Sequence, residues 1–114
     1  MTGCVFIADR NIYTEEQILE WDRDKHLLNI RKHGITFKIA AKAFFDPQAV
    51  IIEDEKHSHN EVRFILIGAS EVDKMLTVCH CYKNDGDVVR IISARLPNQY
   101  EKKVYETGGA IHGF

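Results

Sequence analysis

Val88-Val89-Arg90-Ile91-Ile92-Ser93-Ala94-Arg95 is an apolar, β-branched run that carries two arginines and a serine. Valine and isoleucine at this density predict a strand. An arginine in a strand of a small sheet is costly to bury unless something anionic meets it. Side chains alternate along an ideal strand, so Arg90 and Arg95 are expected on opposite faces. At least one must then leave the core face or find a partner. A phosphate-binding surface, with RNA as ligand, is the first idea this run raises.

Working outward, three further apolar runs precede it, at 49–53, 62–69 and 75–82. The connections 70–74 and 83–87 are short, so the last three strands read as an antiparallel meander. Two registers fit the final hairpin. A three-residue loop Asn84-Asp85-Gly86 pairs Tyr82 with Val88 and His80 with Arg90. A two-residue Asp85-Gly86 turn pairs Tyr82 with Val89 and Leu76 with Arg95. One residue of slip exchanges the two sheet faces, and the sequence leaves both open.

Upstream, 22–33 reads as a polar helix that buries Leu27 and Ile30, capped within Asp22 to Asp24 and closed by Gly34. Phe37, Ala40, Ala41 and Phe44 then share one helical face, with Thr36 as cap and Asp46-Pro47 as stop. Thr14-Glu15-Glu16-Gln17 resembles a helix-start box leading to Trp21, against a competing strand from Ile18 to Trp21. Downstream, Asn98 and Glu101 open a last helix with Tyr100, Val104 and Tyr105 as its apolar side, and Gly108-Gly109 end it. The expected fold is α+β: two N-terminal helices, a four-stranded antiparallel sheet, and a C-terminal helix, with the helices on one sheet face. Residues 1–19 read as an N-terminal extension, 20–109 as one domain and 110–114 as a frayed tail.

The 114 residues suit one modest core, and a net charge of -2 argues against a protein coated in positive charge. Basic residues are nonetheless concentrated late in the chain, at Arg90, Arg95, Lys102 and Lys103. Three cysteines at irregular spacing do not make a disulfide framework. The apolar piece Val5-Phe6-Ile7 is too short for a signal sequence or a membrane span, so a cytoplasmic protein without membrane association is expected.

Several residues are chemical candidates. His57-Ser58-His59, beside Lys56, lies in the loop between the first two strands, and His titrates near neutrality. Arg63 either pairs with Glu61 or Glu53, or joins Arg90 and Arg95 in a phosphate clamp. Lys32-His33-Gly34 is a helix C-terminus, where the dipole alone accounts for cations. Tyr82 is a candidate for stacking on a base. Cys79-His80-Cys81, with His57 and His59, invites a zinc reading, but C-x-C is not the usual spacing and no metal is expected.

The chain also resembles the BrnT family. The likeness is carried by Glu20-Trp21-Asp22, Lys25, Asn29, Lys32-His33-Gly34-Ile35, Phe37, Ala41, Phe45-Asp46-Pro47 and Asp54. It continues through His57-Ser58, Glu61, Arg63, Gly68, Tyr82, the 90–95 run, Glu101 and Tyr105-Glu106. This resemblance implies a RelE-like fold and a ribonuclease toxin of a type II toxin–antitoxin system that slows translation. It implies a BrnA-like ribbon-helix-helix antitoxin, with promoter DNA bound only through the toxin–antitoxin complex. On that reading Lys32, His33, His57, Arg63, Arg90 and Arg95 are site candidates, with His57 or His33 moving protons and the arginines holding phosphate. Lys56, Tyr82 and Lys102 are candidate RNA contacts. Cleavage by the RNA's own 2′-OH needs no cofactor, only a base, an acid and cations on the phosphate. Asp85 stands where the family commonly has arginine, and Pro97 and Gln99 stand in a usually more basic segment. Lost positive charge weakens RNA attraction, so a weak or inactive toxin that serves as an antitoxin-binding co-repressor is the alternative expectation.

Overall fold

A computed structural model describes residues 4–7, 18–72 and 74–110. In order these form β1 (Cys4–Ile7), β2 (Ile18–Asp22), α1 (Arg23–His33), α2 (Phe37–Lys42), β3 (Val50–Glu53), β4 (Phe64–Glu71), β5 (Lys74–Lys83), β6 (Val88–Arg95) and α3 (Gln99–Glu106). The helix-start box at 14–17 and, of the 110–114 tail, residues 111–114 lie outside the described residues.

The four later strands form the expected antiparallel run, but the sheet does not stop there. Its order is β1-β2-β6-β5-β4-β3, with β2 parallel to β6 and β1 antiparallel to β2. Among the described residues, the expected four-stranded antiparallel sheet is therefore corrected to a mixed sheet of six strands. The reason is the exposed edge that β6 would otherwise leave, a row of unpaired backbone groups. Ile18 to Trp21 pair with Val88 to Ile91, and Glu20 falls opposite Arg90. There Arg90 Nε donates to Glu20 Oε1 at 2.7 Å, so the acidic residue that obscures the strand in the sequence is neutralised across it.

The helices also occupy both faces, not one. Phe37, Ala40 and Ala41 of α2 pack with Leu19, Trp21, Leu66, Leu76, Val78, Val89, Ile91 and Ala94. On the other face Val104 of α3 packs on Val50, Ile52 and Ile67. Leu66 and Ile67 are neighbours on β4, so alternation sends them into different cores. Gly68 permits the close seat of Ala43 against β4, since a Cβ there would stand 2.9 Å from the Ala43 carbonyl oxygen. Asp46 ties α3 to this corner, accepting from the Ala69 N–H and the Tyr105 hydroxyl, each at 2.8 Å.

Capping follows the sequence closely. Asp22 accepts from the Asp24 and Lys25 amides, Thr36 from Ile39, and Asn98 with Glu101 makes a reciprocal capping box. Gly34 closes α1 at φ 70°. The burial expected for α1 is corrected: Leu27 is 55% exposed and Ile30 37%, whereas Asn29 is the buried residue.

The last hairpin takes the second register near its turn, with Tyr82 opposite Val89 and His80 opposite Ile91. A bulge then follows, because Cys79 pairs with Ser93 and leaves Ile92 without a partner. Arg95 therefore opposes Thr77, not Leu76. The extra residue also cancels the expected alternation. Arg90 opposite Cys81 and Arg95 opposite Thr77 share one face, while Val89, Ile91 and Ala94 enter the α2 core.

Candidate active-site cleft

Lys25, Leu28, Asn29 and Lys32 recur at helical spacing and form one face of α1. This face stands over the part of the sheet that α3 does not cover. Asn29 holds it in place where β2 ends. Its amide nitrogen donates to the Ala94 carbonyl at 2.9 Å, and its amide oxygen accepts from the Ala94 N–H at 3.0 Å. One side chain thus substitutes for the strand pairing that β2 no longer supplies.

Between this helix face and the sheet lies a cleft of about 430 Å³. Lys25, Leu28, Lys32 and His33 form its helical wall, with Ile65, Thr77, Cys79, Ile92 and Ser93 across the sheet. Asp54, His57, Arg63 and Arg95 complete the rim. Five cationic or titratable candidates expected from the sequence therefore meet here: Lys32, His33, His57, Arg63 and Arg95. Lys25 adds a further cation, and Asp54 is the one acidic residue of the lining. A cleft rich in positive charge thus forms on a chain of net charge -2.

The loop from Asp54 to Arg63 fixes His57. Ser58 Oγ donates to the Asp54 carbonyl at 2.7 Å and accepts from the Arg63 N–H at 2.9 Å. The Asp54 N–H donates to the Arg63 carbonyl at 2.8 Å, which closes the loop base. Within it, the Asp54 carboxylate meets His57 Nδ1 at 2.9 Å. An acceptor there holds the proton on Nδ1 and leaves Nε2 to exchange a proton with a ligand. The signal for this pair in the sequence is the Asp54–His57 spacing of three, which brings the two together on one tight turn.

Arg95 is more constrained. Nη1 and Nη2 each donate to Glu101 at 2.8 Å, a bidentate pair with a buried carboxylate. Glu101 also accepts from Thr77 Oγ1 and the Asn98 N–H. Burial works against its ionised form, but these donors outweigh it and hold the carboxyl below the usual range. Arg63 is held less firmly. Its Nε is buried without a hydrogen-bond partner, and the Glu61 carboxylate stands 3.8 Å away. Glu61 bonds instead to Lys83 Nζ at 2.9 Å.

The remaining candidates lie outside the cleft lining. Arg90 shares its sheet face but is engaged by Glu20. Lys56 and Lys102 are exposed on the Glu55–His57 turn and on α3. Tyr82 packs against the α2 core, on the opposite face. His80 is fully buried there, with Nδ1 against the Val78 carbonyl at 3.1 Å and Nε2 against the Tyr82 hydroxyl at 3.2 Å. A carbonyl only accepts, so Nδ1 carries the proton and Nε2 accepts from Tyr82. Burial drives the His80 pKa down to about 4, and it remains neutral at pH 7. Cys79 and Cys81 share the other face, and burial pushes the Cys79 thiol up to about 11, which makes it a poor nucleophile. Among the described residues no group of three His, Cys, Asp or Glu side chains is arranged to hold a metal ion.

Fold and cleft define a small α+β protein with a cationic groove and an Asp–His pair at its rim. The sequence model of the ribonuclease toxin BrnT of type II toxin–antitoxin systems matches residues 21–101, and the chain belongs to that family. The crystal structure of the Brucella abortus ribonuclease toxin BrnT is similar, with a TM-score of 0.53 and 26% identity over 69% of this chain and 94% of that one. No curated protein matches the chain.

Proposed function

We propose that this member is a metal-independent endoribonuclease that slows translation and is neutralised by a BrnA-like antitoxin covering the cleft. In this reading the fold is RelE-like, the protein is cytoplasmic, and promoter DNA is bound through the antitoxin. The observation that carries the proposal is the convergence of His57, oriented by Asp54, with Lys32, His33 and Arg63 around one groove. The 2′-OH attacks the adjacent phosphorus and the bond to the 5′ oxygen breaks, leaving a 2′,3′-cyclic phosphate. His57 and His33 are the candidates to take the 2′ proton and to protonate the leaving oxygen. Lys32 and Arg63 hold the non-bridging oxygens, and Arg95 supports them from its pair with Glu101. An anion also gives the Arg63 Nε–H, which has no hydrogen-bond acceptor, a reason to reorient, since a buried unsatisfied donor is costly.

The test is cleavage of end-labelled RNA in EDTA, with and without translating ribosomes. Cyclic-phosphate ends are expected, with rates about 10²-fold lower in His57→Ala and Arg63→Ala. Absence of cleavage in both settings, with tight antitoxin binding retained, overturns the enzymatic reading in favour of a co-repressor.

A further inference from the structure

The cationic cleft has an apolar side that phosphate chemistry does not use. Leu28 is 44% exposed on α1, and with half-buried Ile65 and Ile92 it lines the cleft beside Lys32, His57 and Arg63. Ile92 is the unpaired residue of the β6 bulge, which turns it and Ser93 into the cleft while Ile91 and Ala94 remain in the core. Bulges recur beside functional sites because they re-aim a side chain in this way. Asn29 clamps the backbone at Ala94, so the bulge is held in one shape.

We propose that Leu28 and Ile92, with Ile65 beneath them, receive one unstacked nucleobase of single-stranded RNA. The phosphate next to that base then meets Lys32 and Arg63. This inference rests on the ribonuclease reading of the same cleft. Charge complementarity selects a polyanion, and the apolar floor selects one whose uncharged part is flat and poorly hydrated. Bases held out of a helix are commonly gripped between apolar side chains. At about 430 Å³ the cleft falls within the size range of single small-molecule sites. Bases in an A-form duplex are stacked inside, and their major-groove edges lie deep, so a duplex cannot reach this floor. No Phe, Tyr or Trp is among the cleft residues, so the platform is aliphatic and weakly selective between bases.

The test uses a single-stranded oligonucleotide at its mapped cleavage site, an otherwise identical strand with an abasic ribose 5′ of the scissile phosphate, and the matching duplex. Wild type is expected to cut the intact strand about ten-fold or more faster than the abasic one, and to spare the duplex. Leu28→Ser and Ile92→Thr, checked for folding by circular dichroism, are expected to lose that preference mainly through KM. Equal rates on intact and abasic strands, or an unaltered preference in both variants, overturn the proposal. Where wild type cuts nothing with or without translating ribosomes, the ribonuclease reading has failed, and binding decides the base site separately. Tighter binding of a nucleoside 3′-monophosphate than of ribose 5-phosphate, with NMR shifts at the Leu28 and Ile92 methyls, supports the site. Equal binding of the two overturns it.

Discussion

Asp54 and His57 show how a single contact assigns a chemical role. An aspartate on Nδ1 fixes the tautomer and the orientation of the ring. Asp54→Asn is expected to lower cleavage about ten-fold or more, chiefly in kcat. An equal loss in Ser58→Ala, which removes only hydrogen bonds at the loop base, would assign Asp54 to loop structure alone. Arg95 illustrates the opposite case. Arg95→Ala strips the buried Glu101 of two donors, and a loss of about 1–3 kcal/mol is expected in urea denaturation. Activity of that variant must therefore be scaled to the folded fraction before any role in phosphate binding is assigned. His80 governs stability in mild acid. Its folded pKa of about 4 lies below the ordinary histidine value of 6.5, so between these the unfolded chain binds the extra proton. Stability then falls as pH drops through that window, by on the order of 3 kcal/mol in all. The carboxyls of Glu101, Glu61 and Asp46, held below their ordinary values, lose their contribution only at lower pH. Thermal melts from pH 7 to 5 should thus show a decline that His80→Phe flattens.

The relation between α1 and β6 is the decisive one among the elements. The helix face turned to the cleft is Lys25, Leu28, Asn29 and Lys32, with Asn29 alone of these buried against β6, and the apolar Leu27 and Ile30 are left exposed. Periodicity of apolar residues locates a helix by the face it buries, and this helix buries an amide instead. Asn29→Leu keeps the branched outline of the side chain but leaves the Ala94 N–H and carbonyl unpaired. A destabilisation of about 2–4 kcal/mol is expected in chemical denaturation. Wild-type stability in that variant would show that water satisfies Ala94. By contrast α2 was legible in detail, because its apolar stripe, its Thr36 cap and its Asp46 stop all agree. The β6 bulge was not legible, since Ile91 and Ile92 are equally suited to a core and only the pairing with β5 decides which one enters it.

Over the whole molecule, charge is segregated. Acidic residues outnumber basic ones in the chain, yet the cleft lining carries Lys25, Lys32, Arg63 and Arg95 against Asp54. With about three phosphates engaged, log K for single-stranded RNA is expected to fall with log salt at a slope near about -2, read by fluorescence anisotropy. A flat salt dependence would remove the cleft from RNA binding. The antitoxin, if it covers this groove, should present carboxylates to it. The sequence by itself determined the helices with their caps, the run of four antiparallel strands, and the family to which the chain belongs. Each of these rests on local periodicity, on turn and capping chemistry, or on residues at fixed spacing along the chain. Tertiary structure alone decided that β2 joins β6, that α3 takes the second sheet face, and that Arg90 pairs with Glu20 while Arg63 stays at the cleft. These outcomes depend on which backbone edge is left bare and on one extra residue at Ile92. Both are settled by pairing between segments far apart in the chain, where local preference carries no information.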